Sequence, residues 1–199
     1  QYTYNGNYGS NKVKFGAYYG GSSKRSMKNL DLANKRKNAW GTGLIFNHAI
    51  DSIQNVTVAA GFTREISENG NNTSLFRNAY GLGLAYNFVH TTYGVDLERQ
   101  VTKNQGDKRI KNEVRAVIRQ GLNEDWNVYA MYAYKTDKHS HNTDRTRQFM
   151  VGTEYYVFNQ GSLKVKPFLE WQATRTKYEN SAVDRSRDFK TVIGLRAYW

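Results

Sequence analysis

Apolar residues alternate with small or polar ones in the stretch YGLGLAYNF, Tyr80–Phe88. Successive side chains of a β-strand point to opposite faces of its sheet, so this pattern predicts a strand with one apolar face. A polar turn follows over Val89–Thr92, and the alternation resumes at Tyr93, Val95 and Leu97. The stretch therefore predicts an antiparallel hairpin and defines the pattern to look for in the rest of the chain.

The same alternation recurs along the whole sequence, and no segment shows a helical period of comparable strength. We predict ten strands from it. Their apolar sets fall within Val13–Tyr19, Trp40–Phe46, Val56–Phe62, Tyr80–Phe88, Tyr93–Leu97, Val114–Ile118, Trp126–Tyr134, Phe149–Val157, Leu163–Trp171 and Phe189–Trp199.

The predicted connections alternate between short turns and longer polar loops, so all the long loops are expected at one end of the sheet. This arrangement is typical of transmembrane β-barrels, which have short periplasmic turns and long external loops. The short turns are Asp51–Asn55, Val89–Thr92, Gly121–Asp125 and Asn159–Ser162. The long loops are Gly21–Lys37, Ser67–Ser74, Thr102–Arg109, Thr136–Thr146 and Arg175–Asp188.

Composition narrows the class of protein further. The 199 residues carry a net charge of +12, with no cysteine and one proline, which argues against a disulfide-stapled domain and a thiolate metal site. The aromatic content of 14% is too high for a disordered chain. Since no run of about 18 apolar residues occurs, the sequence contains no transmembrane helix. We expect one domain over residues 1–199.

Three features favour a membrane barrel over a soluble lipocalin-like barrel, whose apolar face would point inward. Aromatic residues lie at both ends of the apolar face, as in interfacial girdles. The other face carries many charges. The last strand, Phe189–Trp199, ends on an aromatic residue and resembles the C-terminal signal strand of bacterial outer-membrane proteins. The girdle residues are Trp40, Tyr80, Tyr134, Phe149, Trp171 and Phe189 near the long loops, and Phe88, Tyr93, Trp126 and Trp199 near the short turns.

The predicted fold is thus an all-β, transmembrane, antiparallel up-and-down barrel of 10–12 strands in the bacterial outer membrane. With ten strands, residues 1–11 form a periplasmic tail. With twelve, Gln1–Gly9 pairs with Lys12–Gly20, Met27–Asn34 adds another strand, and both termini lie on the same side. Both even counts fit single-chain bacterial barrels.

The polar parity of the strands predicts a basic lumen. One wall is expected where the last strand closes beside the first, and a ladder of cations forms a second wall. Such a lumen concentrates anions, and the arginine fork suits carboxylates. The predicted pore-lining or substrate-binding residues are Lys12, Lys14, Lys111, Arg115, Arg119, Lys164, Lys166, Lys190 and Arg196, with Tyr129, Tyr156 and Tyr198 against sugar faces. The lumen acids are fewer, namely Glu65, Asp96, Glu98, Glu113, Glu154 and Glu170.

Other interpretations of these residues stay open. Lumen charges can pair and fill a small barrel, and the register brings Arg115 close to Glu113 and Asp96. Inward-facing glycine and alanine on three neighbouring strands can leave space for a solute, pack against aromatic residues opposite, or receive the N-terminal tail. Part of the basic excess lies in or beside loops, where it can bind lipopolysaccharide phosphates; it includes Lys24, Arg25, Lys28, Arg145, Arg147, Arg185 and Arg187.

Size, barrel architecture and a basic lumen together resemble the monomeric outer-membrane porins for acidic oligosaccharides, the oligogalacturonate and sialic-acid porins. The resemblance implies passive diffusion of acidic sugars without a cofactor. It lies in architecture and charge, and no strand matches a family motif, so it carries over no binding residue.

Catalytic patterns are weak, so the sequence predicts that the chain is not an enzyme and has no catalytic residue, metal or cofactor. No lumen-facing histidine is evident, and His139 and His141 lie in a predicted loop, where a metal would be poorly held. The expected partners of a monomer are outer-membrane lipids, lipopolysaccharide and small anionic solutes, not nucleic acid. The alternatives are a sealed barrel that acts as an adhesin through its basic loops and, third, a lipid-modifying enzyme.

Overall fold

The chain folds into a single antiparallel β-sheet, which a computed structural model describes for residues 1–21, 23–24, 35–68, 74–104, 106–160, 163–179 and 185–198. Eleven long strands follow one another in chain order, and the short strands β3 and β11 attach beside β4 and β12. Among the described residues, no helix is long and apolar enough to cross a bilayer. The strands are β1 (Tyr2–Tyr8), β2 (Asn11–Gly20), β3 (Ser23–Lys24), β4 (Lys35–Ala49), β5 (Gln54–Glu68), β6 (Ser74–Phe88), β7 (Thr91–Asn104), β8 (Asp107–Gly121), β9 (Trp126–His139), β10 (Asn142–Tyr155), β11 (Phe158–Gln160), β12 (Leu163–Lys177) and β13 (Arg185–Tyr198).

The predicted hairpin at Tyr80–Leu97 is confirmed. Strands β6 and β7 pair with Leu82 opposite Leu97 and Leu84 opposite Val95, so the apolar residues of both strands share one face. The turn between the strands is only Val89 and His90, and Val89 adopts a positive φ of 51° that closes it. The same antiparallel pairing links all successive long strands, which confirms the up-and-down fold.

The apolar face of the sheet is exposed. Leu84 is 51% exposed and Ile193 is 80% exposed, whereas the only buried hydrophobic residues of the described chain are Ala39 and Ala133. A water-soluble protein of this size buries a substantial apolar core. The apolar face therefore suits a lipid environment, as in outer-membrane barrels.

Aromatic rings of neighbouring strands touch at both ends of this face. Near one end, the Phe62 ring lies 5.0 Å from both the Trp40 and Tyr80 rings. At the same end, further along the sheet, Trp171 lies 6.5 Å from Phe149 and 6.1 Å from Phe189. Near the opposite end, the Tyr86 ring stacks with that of Tyr93 at 6.4 Å. These rows have the placement of interfacial girdles. Of the predicted girdle residues, Trp199 lies outside the described residues.

We call the two ends of the sheet the Gly9 end and the Gly106 end, after a glycine in one turn of each. The Gly9 end carries the connections at 9–10, 50–53, 89–90, 122–125 and 156–157, and the Gly106 end carries those at 105–106 and 140–141 together with the remaining ones.

Several predicted loops are wrong, because the strands continue through them. Strand β7 runs to Asn104 and β8 starts at Asp107, so the predicted loop Thr102–Arg109 is a two-residue turn. The predicted loop Thr136–Thr146 likewise reduces to residues 140–141. Backbone pairing does not require apolar side chains, and both faces of these strand ends are polar. Alternation therefore disappears from the sequence before the strand ends.

The N-terminal segment is a strand and not a tail. Tyr4 of β1 pairs opposite Phe15 of β2, which confirms the predicted pairing of Gln1–Gly9 with Lys12–Gly20 and excludes the filling of the lumen by this segment. The predicted strand Met27–Asn34, together with Arg25 and Lys28, lies outside the described residues. The described sheet has eleven long strands, which differs from both even counts, and β1 therefore starts at the Gly106 end while β13 finishes at the Gly9 end.

The predicted closure of the last strand on the first is not formed in the described part of the chain. There, β1 pairs only with β2 and β13 only with β12, and no Cα of β1 lies within 8 Å of one in β13. Paired strands lie about 4.8 Å apart. The predicted wall shared by Lys12, Lys14, Lys164, Lys166, Lys190 and Arg196 is therefore split between the two edges of the sheet.

Candidate functional site in the lumen

The polar face of the sheet is concave and encloses two adjoining cavities. One, of about 580 Å³, is lined from seven consecutive long strands, β4 to β10, which requires the sheet to curve around it. The other, of about 630 Å³, is lined from β1, β2 and β4 to β7. Gly61, Gly81 and Glu98 line both cavities, so the two form a continuous space. This space is the candidate lumen.

Glycine residues on β4, β5 and β6 form an open wall beside this space. Gly43 pairs opposite Gly61, and Gly61 pairs opposite Gly81. A Cβ atom added at Gly81 meets no atom within 4 Å, and one at Gly43 or Gly61 meets only backbone at 3.8 or 3.7 Å. Since these glycines face one another across the strands, no ring covers them, and their side of the lumen stays empty. Gly41 differs, because the Tyr18 ring lies against it.

The opposite wall carries a cluster of charges at the Gly9 end, which we call the Glu154 cluster. Glu154 of β10 is 4% exposed and accepts contacts from Arg119 at 2.8 Å, Lys166 at 2.9 Å and Arg196 at 3.0 Å. Arg196 also contacts Glu170 at 2.8 Å. Three cations thus meet two carboxylates, so both the buried Glu154 and the half-buried Glu170 are neutralised and one positive charge is left in excess.

Aromatic rings hold this cluster in place. The Lys166 ammonium lies 5.0 Å from the centre of the Tyr156 ring and 5.4 Å from that of Tyr198, and the Arg196 guanidinium lies 4.2 Å from the Phe168 ring centre. These are cation–π distances. The Tyr129 hydroxyl donates to Glu170 at 2.6 Å. The cations are therefore fixed by both carboxylates and rings.

Glycine makes room for two rings of the cluster. Gly152 pairs opposite Tyr129, and Gly194 pairs opposite Phe168. A Cβ atom at Gly152 would lie 2.5 Å from the Tyr129 ring, and one at Gly194 would also collide with the ring of Phe168. Each ring therefore lies over a glycine of the next strand. In this position Tyr129 contacts Glu170, and Phe168 contacts Arg196.

Towards the Gly106 end, each of four lumen cations contacts a carboxylate. Asp137 accepts from Arg109 at 2.5 Å and from Lys111 at 3.7 Å. Glu113 accepts from Arg115 at 2.8 Å and from Lys135 at 3.2 Å. Arg115 also lies 3.8 Å from Asp96, as its register predicts. This end of the lumen is lined by charges of both signs.

At the Gly9 end, three lumen-facing lysines have no such partner. Lys12 and Lys14 of β2 and Lys164 of β12 are exposed, and no ion pair among the described residues involves them. Lys14 lines the 630 Å³ cavity. Lys190, further along β13, contacts Asp188 at 3.5 Å with both side chains mostly exposed.

Half of the predicted site residues thus meet in one place. Arg119, Tyr129, Tyr156, Lys166, Arg196 and Tyr198 belong to the Glu154 cluster or its ring contacts. Lys111 and Arg115 lie instead in the paired network of the Gly106 end, and Lys12, Lys14, Lys164 and Lys190 lie outside both.

The central carboxylate and one of its aromatic supports were missed as site residues. Glu154 and Phe168 have lumen parity in the sequence, but parity alone gives neither burial nor partner. The signal that locates them is the strand register, which pairs Glu154 with Phe168 directly.

Within the described residues, no group of three or more His, Cys, Asp or Glu side chains is placed to hold a metal ion. His139 is the last residue of β9, and His141 lies in the turn that follows. His48 contacts Asn11 at 2.8 Å at the Gly9 end.

Comparisons with known proteins identify the fold. No family profile and no curated protein sequence matches the chain. Two solved structures of OmpT, an outer membrane protein of Vibrio cholerae, do match it. A loop L8 deletion mutant aligns with 99% of this chain and 62% of its own at a TM-score of 0.63 and 11% identity. An in-vitro folded, trimeric form aligns with 96% of this chain and 78% of its own at a TM-score of 0.53 and 11% identity.

The prediction that the chain is not an enzyme is wrong. It was inferred from the positions of a few histidines, whereas the fold belongs with OmpT over nearly the whole chain. One fold supports many chemistries, and at this identity the likeness establishes the fold alone. The finding therefore leaves catalysis open.

The chain spans 62% of the length of the first OmpT structure. Both matched structures are of an outer-membrane protein, which confirms the predicted location together with the exposed apolar face described above. The chain has the fold of a bacterial outer-membrane β-barrel protein.

Proposed function

We propose that the chain forms an outer-membrane channel for passive diffusion of small anionic solutes, acidic sugars among them. The observation that carries this proposal is the set of unpaired, exposed lysines Lys12, Lys14 and Lys164 on the lumen face of the Gly9 end. Together with the open glycine wall, they provide a space for a solute and a charge that attracts an anion.

The charge along the lumen is uneven, which supports a preference for anions. Towards the Gly106 end, the four cations Arg109, Lys111, Arg115 and Lys135 all contact carboxylates, and Asp137, Glu113 and Asp96 offset three of their four charges. The Gly9 end holds the unpaired lysines and the excess charge of the Glu154 cluster. A pore with one net sign of charge between low-dielectric walls concentrates the opposite ion. An anion therefore meets its strongest attraction at the Gly9 end.

The Glu154 cluster contributes to this attraction, because its arginines contact Glu154 and are still partly exposed to the lumen. The side chains of Arg119 and Arg196 are 44% and 37% exposed although both contact Glu154. Each guanidinium carries five N–H donors in a planar fork that matches a carboxylate. Donors left free on the lumen side can hold the carboxylate of an acidic sugar, while Tyr156 and Tyr198 lie beside it.

The resemblance to the acidic-oligosaccharide porins is in line with this proposal through architecture and charge. A preference for acidic sugars over inorganic anions rests on that resemblance and on the arrangement of Arg119, Arg196 and the tyrosines. It is tested with uronic acid oligomers as blockers of the chloride current.

The experiment is single-channel recording in a planar bilayer under a KCl gradient. The wild-type protein is expected to show steady conductance with a reversal potential close to the equilibrium potential of chloride. The variant K12Q/K14Q/K164Q is expected to move the reversal potential towards the equilibrium potential of potassium, because it removes three positive charges from the lumen. The matched control K103Q/K108Q/K138Q removes three lysines of the Gly106 end whose strand parity faces outward, and it is expected to keep the wild-type value.

Two outcomes contradict the proposal. An unchanged reversal potential in K12Q/K14Q/K164Q means that these lysines do not line the path of the ions. Absence of conductance from protein that is folded, as judged by heat-modifiable mobility on a gel, means that the lumen does not conduct.

A further inference from the structure

Six cations form two straight rows on the outward face of β10, β12 and β13, at the Gly106 end. In the first row, Arg175 pairs directly opposite Arg147 on one side and Arg187 on the other. The second row lies two residues further out. It consists of Lys177 between Arg145 and Arg185. We call these six residues the cation patch.

The patch lies on the lipid-facing side of the strands. Arg147 and Arg187 each lie two residues from an aromatic residue of the outward girdle, Phe149 and Phe189, and side chains two apart share a face. The first row is therefore about 7 Å beyond the girdle. Girdle aromatics mark the level of the lipid headgroups, so the patch lies at headgroup height.

Like charges placed directly opposite each other on neighbouring strands destabilise a sheet. Each row of the patch contains two such pairings. All six side chains are exposed, and no ion pair among the described residues involves any of them. The arrangement therefore costs stability in the isolated protein and is relieved by an external anion.

The nearby carboxylates are engaged elsewhere. Asp144 accepts the backbone N–H of Glu179 at 3.2 Å, Glu179 accepts that of Thr143 at 2.5 Å, and Asp188 contacts Lys190 at 3.5 Å. On the lumen face at the same end, by contrast, Asp137 and Glu113 each bind two cations. At this end of the sheet, the outward patch thus lacks the carboxylate partners that the lumen cations have.

We propose that the cation patch binds the phosphorylated headgroup of an outer-leaflet glycolipid, lipopolysaccharide, whose acyl chains lie on the apolar band below. Arginine binds phosphate through two parallel charge-assisted hydrogen bonds, and five of the six cations, spread over the three strands, are arginines with this fork. Each row spans about 10 Å across three strands, and the two rows are about 7 Å apart, which accommodates more than one phosphate group.

The apolar surface next to the patch favours a lipid over a free anion. Trp171 stacks with Phe189 at 6.1 Å directly below the first row, and Leu169 and Ile193 continue the band at 45% and 80% exposure. Leu169 and Ile193 pair opposite each other, so the band is continuous across β12 and β13. A ligand that combines phosphate with acyl chains can contact both the cation patch and the apolar band, whereas inorganic phosphate contacts only the cation patch.

The test is native mass spectrometry of the folded, detergent-solubilised chain with purified lipid A, with its dephosphorylated form, and with inorganic phosphate as competitor. Each basic residue near an anionic lipid surface contributes about 1 kcal/mol, so R147Q/R175Q/R187Q is expected to bind lipid A on the order of 100-fold more weakly. Without lipid, R175Q is expected to unfold at a higher temperature than the wild type, because it removes two like-charge pairings from the first row.

The matched control is K12Q/K14Q/K164Q, which also removes three cations but from the lumen face, and it is expected to bind lipid A like the wild type. The patch variant in turn is expected to keep the reversal potential of the channel, so the two proposals fail independently. Equal binding of lipid A by R147Q/R175Q/R187Q and wild type overturns the inference. Equal binding of dephosphorylated lipid, or displacement of lipid A by inorganic phosphate, overturns it as well. If the triple variant does not fold, the single variant R175Q with several-fold weaker binding decides the question.

Discussion

The two walls of the lumen use glycine in opposite ways. On β4 to β6, Gly43, Gly61 and Gly81 pair with one another, and the space above them is open. On the cluster wall, Gly152 pairs with Tyr129, and the ring of that tyrosine occupies the space above the glycine. The same residue type therefore leaves a cavity or seats a ring, depending on its partner across the strand.

The two walls of the lumen therefore have different roles. The seated rings hold the Glu154 cluster in a fixed arrangement, whereas the glycine wall provides volume. A barrel of this width cannot fill both sides with large side chains and keep a space for a solute.

The largest effect is expected for E154Q. Lys166 is 6% exposed and Glu154 is 4% exposed, so the variant leaves a buried ammonium without its carboxylate. Removing one partner of a buried ion pair costs about 3–5 kcal/mol. The free energy of unfolding is measured by urea titration in lipid vesicles with tryptophan fluorescence.

The matched control for this variant is E98Q on the open side of the lumen. Glu98 is exposed and lies in no ion pair among the described residues, so its change in stability is expected to stay within about 0.5 kcal/mol. Equal effects of the two variants would show that the Glu154 cluster is no more important for stability than an exposed carboxylate.

The pair G152A and G81A tests the two uses of glycine. A methyl group at Gly152 would lie 2.5 Å from the Tyr129 ring, so overpacking is expected to cost about 1–3 kcal/mol. At Gly81 nothing lies within 4 Å, and alanine is expected to be neutral or stabilising by up to about 1 kcal/mol. The same urea titration measures both, and a reversed order would contradict the seated-ring arrangement.

A bulky residue on the open wall tests whether that space conducts. G81W places an indole where both cavities meet, and it is expected to reduce single-channel conductance by roughly half while the protein still folds. G16W is the control, because a Cβ atom at Gly16 also meets no atom within 4 Å but the residue lines only the 630 Å³ cavity. The conductance of G16W is expected to fall less, and an unchanged conductance in G81W would place the ion path elsewhere.

The smallest effect is expected at the paired Gly106 end. Arg109 contacts Asp137 with 52% and 25% of the two side chains exposed. Exposed ion pairs contribute about 0.2–1 kcal/mol, so R109Q is expected to lose no more than that from the free energy of unfolding. A loss comparable to that of E154Q would mean that both ends of the lumen depend equally on their ion pairs.

Alternation along the chain predicts the correct class of fold, because it directly reflects the two faces of a strand. It predicted the hairpin at Tyr80–Leu97 and the pairing of the N-terminal segment with β2. It failed at the strand ends, such as Thr102–Arg109, because polar residues on both faces hide the period there. It also wrongly predicted a basic wall shared by the first and last strands. Parity gives the face of a residue but does not show which strands lie next to each other at the edges of the sheet.

The candidate site was predictable as a set of residues but not as an arrangement. Arg119, Lys166 and Arg196 are inward by parity, yet their convergence on Glu154 requires three separate registers to align. The balance of charge also depends on this alignment, since Lys111 and Arg115 have the same parity and end in neutralised pairs.

The sequence by itself determined an antiparallel sheet with an apolar outer face and a charged inner one, because side chains alternate along every strand. Only the tertiary structure decided which charges are paired, which glycines seat a ring, and where six cations form two rows. These features depend on the register between strands that are distant in the chain, and a local pattern does not contain that register.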